Sequence, residues 1–176
     1  MEPSAPVEKN VVLVGAGNAH LRFVKMFGMR PLRGVAVTLV CHTPTIPYSA
    51  MVPGHVAGDY AYDEISIDLV RLCRAMGVRF IADFASAIDT MRRVVRFEGR
   101  PELRYDVLSL GVGSMPATPP GLDASTSWPM RPLDRLTVRL DELHRSLVAG
   151  PRASTADSFS GSPRPCTQGR GVRGEG

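Results

Sequence analysis

Short apolar runs punctuate the chain, each closed by turn-forming residues. Val11-Val12-Leu13-Val14 has no alternating polar partner, the pattern of a strand buried on both faces. It runs into Gly15-Ala16-Gly17-Asn18-Ala19-His20, and helical spacing follows over 19–29. There Ala19, Phe23 and Phe27 share one face, with Val24 beside them. Pro31 and Gly34 end that helix, and Val35-Ala36-Val37-Thr38-Leu39-Val40-Cys41 reads as a second buried strand. Strand, glycine turn, helix and strand together make a βαβ unit.

Residues 42–53 are rich in turn formers, and a short helix is expected over 49–57. A clearer helix covers 67–76, with Leu69, Leu72, Cys73 and Met76 on its apolar face. Asp68 suits its first turn, and Gly77 the left-handed position after its end. Strands are expected at 78–82, 85–89, 92–97 and 105–110, with a turn at 99–102. A last helix over 133–148 spaces Leu136, Leu140, Leu143 and Leu147 along one face. From residue 150 the character changes: 13 of the last 27 residues are Gly, Pro or Ser. Such a segment buries too little apolar surface to offset its ordering entropy, so a disordered tail is expected over 150–176. Residues 1–9 read as a flexible leader and 10–149 as one α/β domain.

Composition narrows the chemistry. The net charge of +4 is carried by scattered arginines, without the clustered stripe of a nucleic-acid surface. Cys41, Cys73 and Cys166 are too far apart for a disulfide framework, a zinc site or a redox dithiol; no metal site is expected. The N-terminus lacks the apolar run of a signal peptide, and no stretch is long enough to span a bilayer. The expected location is the cytoplasm.

The strongest chemical signal is Gly15-x-Gly17-x-x-His20. The first glycine permits the tight turn, the second lets a pyrophosphate approach the backbone, and the helix that opens there points free N–H groups at the anion. A Gly-x-Gly pair alone is weak; between two buried strands and at a helix start it is specific. Two departures stand out. His20 replaces the usual small third residue, so the helix must stand off from the sheet or the imidazole must face cofactor or solvent. No acid follows the second strand, where a carboxylate would hold ribose hydroxyls; Cys41-His42 stands there. A methyltransferase or a NAD-only domain is the rival reading, and both would want that acid.

Taken in order, VVLVGAGNAHLRFVKMF, TPTIPYSAMVPGHVAGDYAYDEISIDLVRLCRAMGVRFI, AIDTMRRVVRFEG and YDVLSLGVGSMP resemble the pyridine nucleotide-disulfide oxidoreductases. The resemblance is to members like type II NADH dehydrogenases and the branch associated with selenide, water dikinase. It covers about residues 9–145. It implies a Rossmann-like FAD-binding domain, three-layered around a parallel central sheet, and NAD(P)H as hydride donor to a flavin that passes electrons to a quinone or other acceptor. By that resemblance Gly15, Gly17, Asn18, Ala19 and His20 meet the FAD pyrophosphate. Cys41 and His42 lie near the adenosine ribose. Tyr48, Ser49, Met51, Val52 and Pro53 lie against the flavin ring, Ala85 touches adenine through its backbone, and Gly113 and Ser114 return the chain past the cofactor. No second βαβ unit with its own glycine turn follows, so the domain reads as incomplete and C-terminally truncated. A complementing domain or a second copy would complete it. The alternative is a non-catalytic fragment that holds FAD or an adenine nucleotide without turnover.

Overall fold

A computed structural model of the chain describes residues 6–114, 117, 120–121, 131 and 133–149. The readings of residues 150–176, of Met115-Pro116 and of Cys166 fall outside the described residues. Strand β1 (Lys9–Val14) leads into helix α1 (Asn18–Met29) and strand β2 (Val35–Cys41). Strand β3 (Thr45–Pro47) and a 3-10 turn (Ser49–Met51) precede helix α2 (Val52–Ala57). Strand β4 (Ser66–Asp68), helix α3 (Leu69–Ala75) and strand β5 (Arg79–Ala82) follow. Strands β6 (Ala87–Asp89), β7 (Val94–Arg96), β8 (Leu103–Arg104) and β9 (Val107–Leu110) come next, then helix α4 (Leu133–Val148).

The central sheet is parallel, ordered β5-β2-β1-β9. Its unbroken apolar runs are explained by cover on both faces. On one face Leu13, Val37, Leu39 and Cys41 pack against Val24 of α1 and Leu69 and Cys73 of α3. On the other, Val12, Val14, Val40 and Ile81 pack against Val95 of the antiparallel β6-β7-β8 sheet and Phe97 just beyond β7. Successive β1 residues thus enter different cores, and each fully buried Val or Leu contributes about 1.5–3 kcal/mol. Asp106 fastens the start of β9 to β1. Asn10 N–H donates to its carboxylate at 2.7 Å, and Asp106 N–H donates to the Asn10 carbonyl at 2.8 Å. The bond from Asn10, with nearby Lys9, holds the Asp106 carboxyl below its usual range.

Several expectations shift. The antiparallel β3–β4 pair was not expected; its three-residue strands are too short to show a period. The predicted 67–76 helix therefore begins only at Leu69, with Asp68 as its N-cap accepting from Arg71 N–H at 2.9 Å. Strand β8 forms between the turn expected at 99–102 and the strand expected at 105–110, because β7 offers it a free edge. Gly77 does adopt the left-handed conformation after α3, with φ of 64°. The buried face of α1 is not Ala19-Phe23-Phe27. It carries His20 and Val24, while Phe23 is 40% exposed and stacks on Phe27 at the rim. On α4, Leu136 is buried but Leu147 is 71% exposed, so the leucine stripe leaves the core along its length.

Cys41 and Cys73 are buried, free thiols in the same core. Burial pushes the Cys73 thiol from 9.0 up to about 11. The folded value is the raised one, so this contribution to stability is complete below pH 9 and is lost as pH climbs through about 11. A thiol reagent at pH 8 is expected to leave Cys73 unlabelled in the native chain and to label it in denaturant, as peptide mapping would report. Native labelling at the unfolded rate would contradict its burial.

Candidate functional site

The site is built where β1 ends. Gly15 N–H still donates to the Val40 carbonyl of β2 at 2.8 Å, and Gly111 N–H donates to the Val14 carbonyl at 2.7 Å. Gly15 then turns with φ of 89° and Gly17 becomes the N-cap of α1. Across this turn lies the segment leaving β9. A methyl group on Gly15 would sit 2.6 Å from the Gly111 carbonyl carbon and 2.9 Å from Val112 Cα; one on Gly17 would sit 3.0 Å from the Gly111 oxygen. Three glycine backbones therefore pack with no space for a side chain between them.

His20 locks this packing. Its side chain is 5% exposed and lies between the turn and β9. Nδ1 is 2.7 Å from the Gly15 carbonyl oxygen, which can only accept, so Nδ1 carries the proton. In the neutral ring Nε2 then accepts from the Ser109 hydroxyl at 2.8 Å. Of the two alternatives, a helix standing off from the sheet or an imidazole facing cofactor or solvent, the second is corrected. It faces inward, and both its nitrogens are satisfied there. A Cβ on Gly111 would lie 2.6 Å from the ring, so the glycine gives the histidine its room. Gly111 and Ser109 were not among the expected site residues. Their role depends on β9 lying beside β1, which no local pattern in the sequence shows.

The opposite side of the turn is open. Gly17, Asn18 and Ala19 are exposed, no side chain caps α1, and no acid lies in its first turn. The first backbone N–H groups of a helix lack intrahelical partners and carry partial positive charge. A groove continues from Asn18 along Arg22 and Lys25 to Tyr48, Ile67 and Leu72. Of the expected flavin-facing segment, Tyr48 and Pro53 are exposed, Ser49 and Met51 are half-buried, and Val52 is buried. Gly113 and Ser114 are exposed beyond β9.

At the ends of β2 and β5, Cys41 turns its side chain into the core, with Sγ 3.7 Å from Thr43 Oγ1. Only His42 of that pair reaches solvent, where its ring meets Phe84. Ala85 is half-buried beside it. His55 sits on α2 with Nδ1 2.9 Å from the Tyr60 carbonyl oxygen. Among the described residues, no three His, Cys, Asp or Glu side chains gather as metal ligands, and no helix is long and apolar enough to cross a membrane.

No family model and no curated protein matches this chain. Solved structures do. The sulfide:quinone oxidoreductase of the hyperthermophilic bacterium Aquifex aeolicus superposes with a TM-score of 0.65 at 21% identity, over 81% of this chain and 33% of that one. NDH2 from Plasmodium falciparum, solved in complex with NADH, gives 0.62 at 12% identity, over 84% and 31%. A NAD-dependent persulfide reductase from A. fulgidus gives 0.61 at 23% identity, over 80% and 28%. The chain thus spans about a third of the length of these solved chains. With a parallel sheet, a glycine turn opening α1 and an antiparallel sheet as third layer, the chain shares the Rossmann-like α/β fold of these solved oxidoreductases.

Proposed function

We propose that the Gly15–His20 turn holds the diphosphate of FAD, and that the chain supplies the flavin-binding part of an NAD(P)H-dependent oxidoreductase. The observation that carries this reading is the exposed, uncapped N-terminus of α1 at a turn of bare backbone, with no carboxylate to compete. N–H groups of residues 17–20 suit an anion, and the helix dipole favours its charge. Arg22 and Lys25 in the adjoining groove add positive potential. Tyr48 stands at the far side of that groove, in the segment whose resemblance assigns it to the flavin ring.

In this reading His20 does not react. It keeps the turn seated on β9 so that its N–H groups stay aimed outward. When bound, FAD would supply hydride acceptance from NAD(P)H and electron delivery to an acceptor such as a quinone; the protein supplies position and electrostatics. The neighbour solved with NADH and the neighbour named for sulfide and quinone support this class of reaction.

The test is an absorbance spectrum of the purified chain before and after FAD is added, followed by gel filtration. A flavin band that travels with the protein is expected. Asn18→Asp sharpens the test by placing a carboxylate in the first turn of α1. That charge suits the helix dipole, so the melting temperature should hold or rise. It repels a diphosphate, so FAD binding should weaken by about tenfold, the equivalent of ~1.4 kcal/mol. Unchanged FAD affinity in this variant would place the phosphates elsewhere.

A further inference from the structure

The ends of β2 and β5 carry an arrangement that the diphosphate site does not explain. The two strands are neighbours, and Cys41 and Ala82 stand level in their register. Just beyond them His42 and Phe84 project together, ring centroids 6.1 Å apart and planes at 66°. Phe84 is 68% exposed, a large apolar side chain left in water. Its backbone is nonetheless fixed on both sides. Phe84 N–H donates to Asp83 Oδ1 at 2.7 Å, and two residues later Ser86 N–H donates to the Arg96 carbonyl at 2.9 Å.

The acids complete the picture. No Asp or Glu occurs between Gly15 and Asp59, so β2 ends without the carboxylate that commonly holds a ribose. Asp83 is the acid beside the end of β5. One of its oxygens takes the Phe84 N–H and the other lies 3.3 Å from Arg100 Nε, so both are engaged within the protein. Among the described residues, a nucleoside arriving here meets two aromatic rings and no acid at the end of β2 or β5 other than the engaged Asp83.

We propose that the adenosine end of the bound dinucleotide is recognised through its base, stacked at the His42–Phe84 pair, and that its ribose hydroxyls are not gripped. This rests on the FAD reading, and it assigns Phe84 a role that the sequence did not suggest. Stacking on an exposed ring tolerates any sugar attached to the base, because the ring contacts only the π-face. The site therefore discriminates against ligands that lack an aromatic base, and not against altered riboses.

The experiment titrates the full chain with FAD and then displaces it with ADP or 2′-deoxy-ADP. Both nucleotides are expected to displace FAD at concentrations within about twofold of each other. Phe84→Ala is expected to weaken FAD binding by about tenfold or more, with Phe84→Trp restoring it. The side chain is exposed, so the melting curve of each variant should match that of the parent. A requirement for much more 2′-deoxy-ADP than ADP would overturn the proposal, as would an ADP that fails to compete. FAD binding untouched by Phe84→Ala overturns this proposal alone; a parent chain that binds no FAD overturns the flavin reading with it.

Discussion

A Gly15→Ala chain is expected to lose about 3 kcal/mol of stability, and Gly58→Ala about 1 kcal/mol. The two glycines share nearly the same positive φ, 89° and 87°. They differ in what surrounds them. A Cβ on Gly58 meets nothing within 4 Å, so its substitution carries only the strain of a left-handed residue. A Cβ on Gly15 meets the backbone of Gly111 and Val112, which no rotamer change relieves. Relief there requires α1 or β9 to move, and that also disturbs the His20 bonds. Chemical denaturation followed by far-UV circular dichroism would read both variants. Against a total stability of roughly 5–15 kcal/mol for an ordinary domain, the Gly15 loss is large. Equal midpoint shifts for the two variants would contradict the close approach of the turn to β9.

His20→Ala is the second large effect, at about 3 kcal/mol. Truncation leaves a cavity between α1 and β9. It also removes the Nδ1–H partner of the Gly15 carbonyl and the Nε2 partner of the Ser109 hydroxyl. Ser109→Ala alone should cost less, about 1 kcal/mol, because only one bond is lost and the imidazole stays packed. In a double-mutant cycle the two sites are expected to couple by about 0.5 kcal/mol or more. His20→Phe separates packing from bonding: it fills the space yet leaves the Gly15 carbonyl unpaired, and should recover only part of the loss. Full recovery with Phe would mean that the ring serves by its volume alone. Additive single effects would mean that the His20–Ser109 bond contributes nothing measurable.

Both predictions concern a motif whose position was legible in the amino-acid sequence. Val11–Val14 and Val35–Cys41 are apolar at every turn of the pleat or nearly so, which suits only strands covered on both faces. Glycines between such a strand and a helical period mark a tight turn at a helix start, and the structure places α1 directly after them. Long periodic segments were legible for the same reason: α4 keeps the bounds its leucines imply. Short pieces were not. The three residues of β3 and of β4 carry no period, and they are strands only because each finds the other.

The composition of the site divides along the same line. Local order along the chain determined that Gly15, Gly17, Asn18 and Ala19 would form a turn at a helix start, because turn chemistry and helix initiation depend on a few successive residues. What His20 does there was decided by the fold. Taken alone, a histidine at that position reads as a misfit on a helix face. Its burial is acceptable only because Ser109, 89 residues away, arrives with β9 to satisfy the second nitrogen, and because Gly111 leaves room for the ring. The pairing of His42 with Phe84 has the same origin, in the adjacency of β2 and β5. Propensity and periodicity act over a turn or two of chain, whereas hydrogen-bond satisfaction and close packing depend on whichever segments the sheet order brings together.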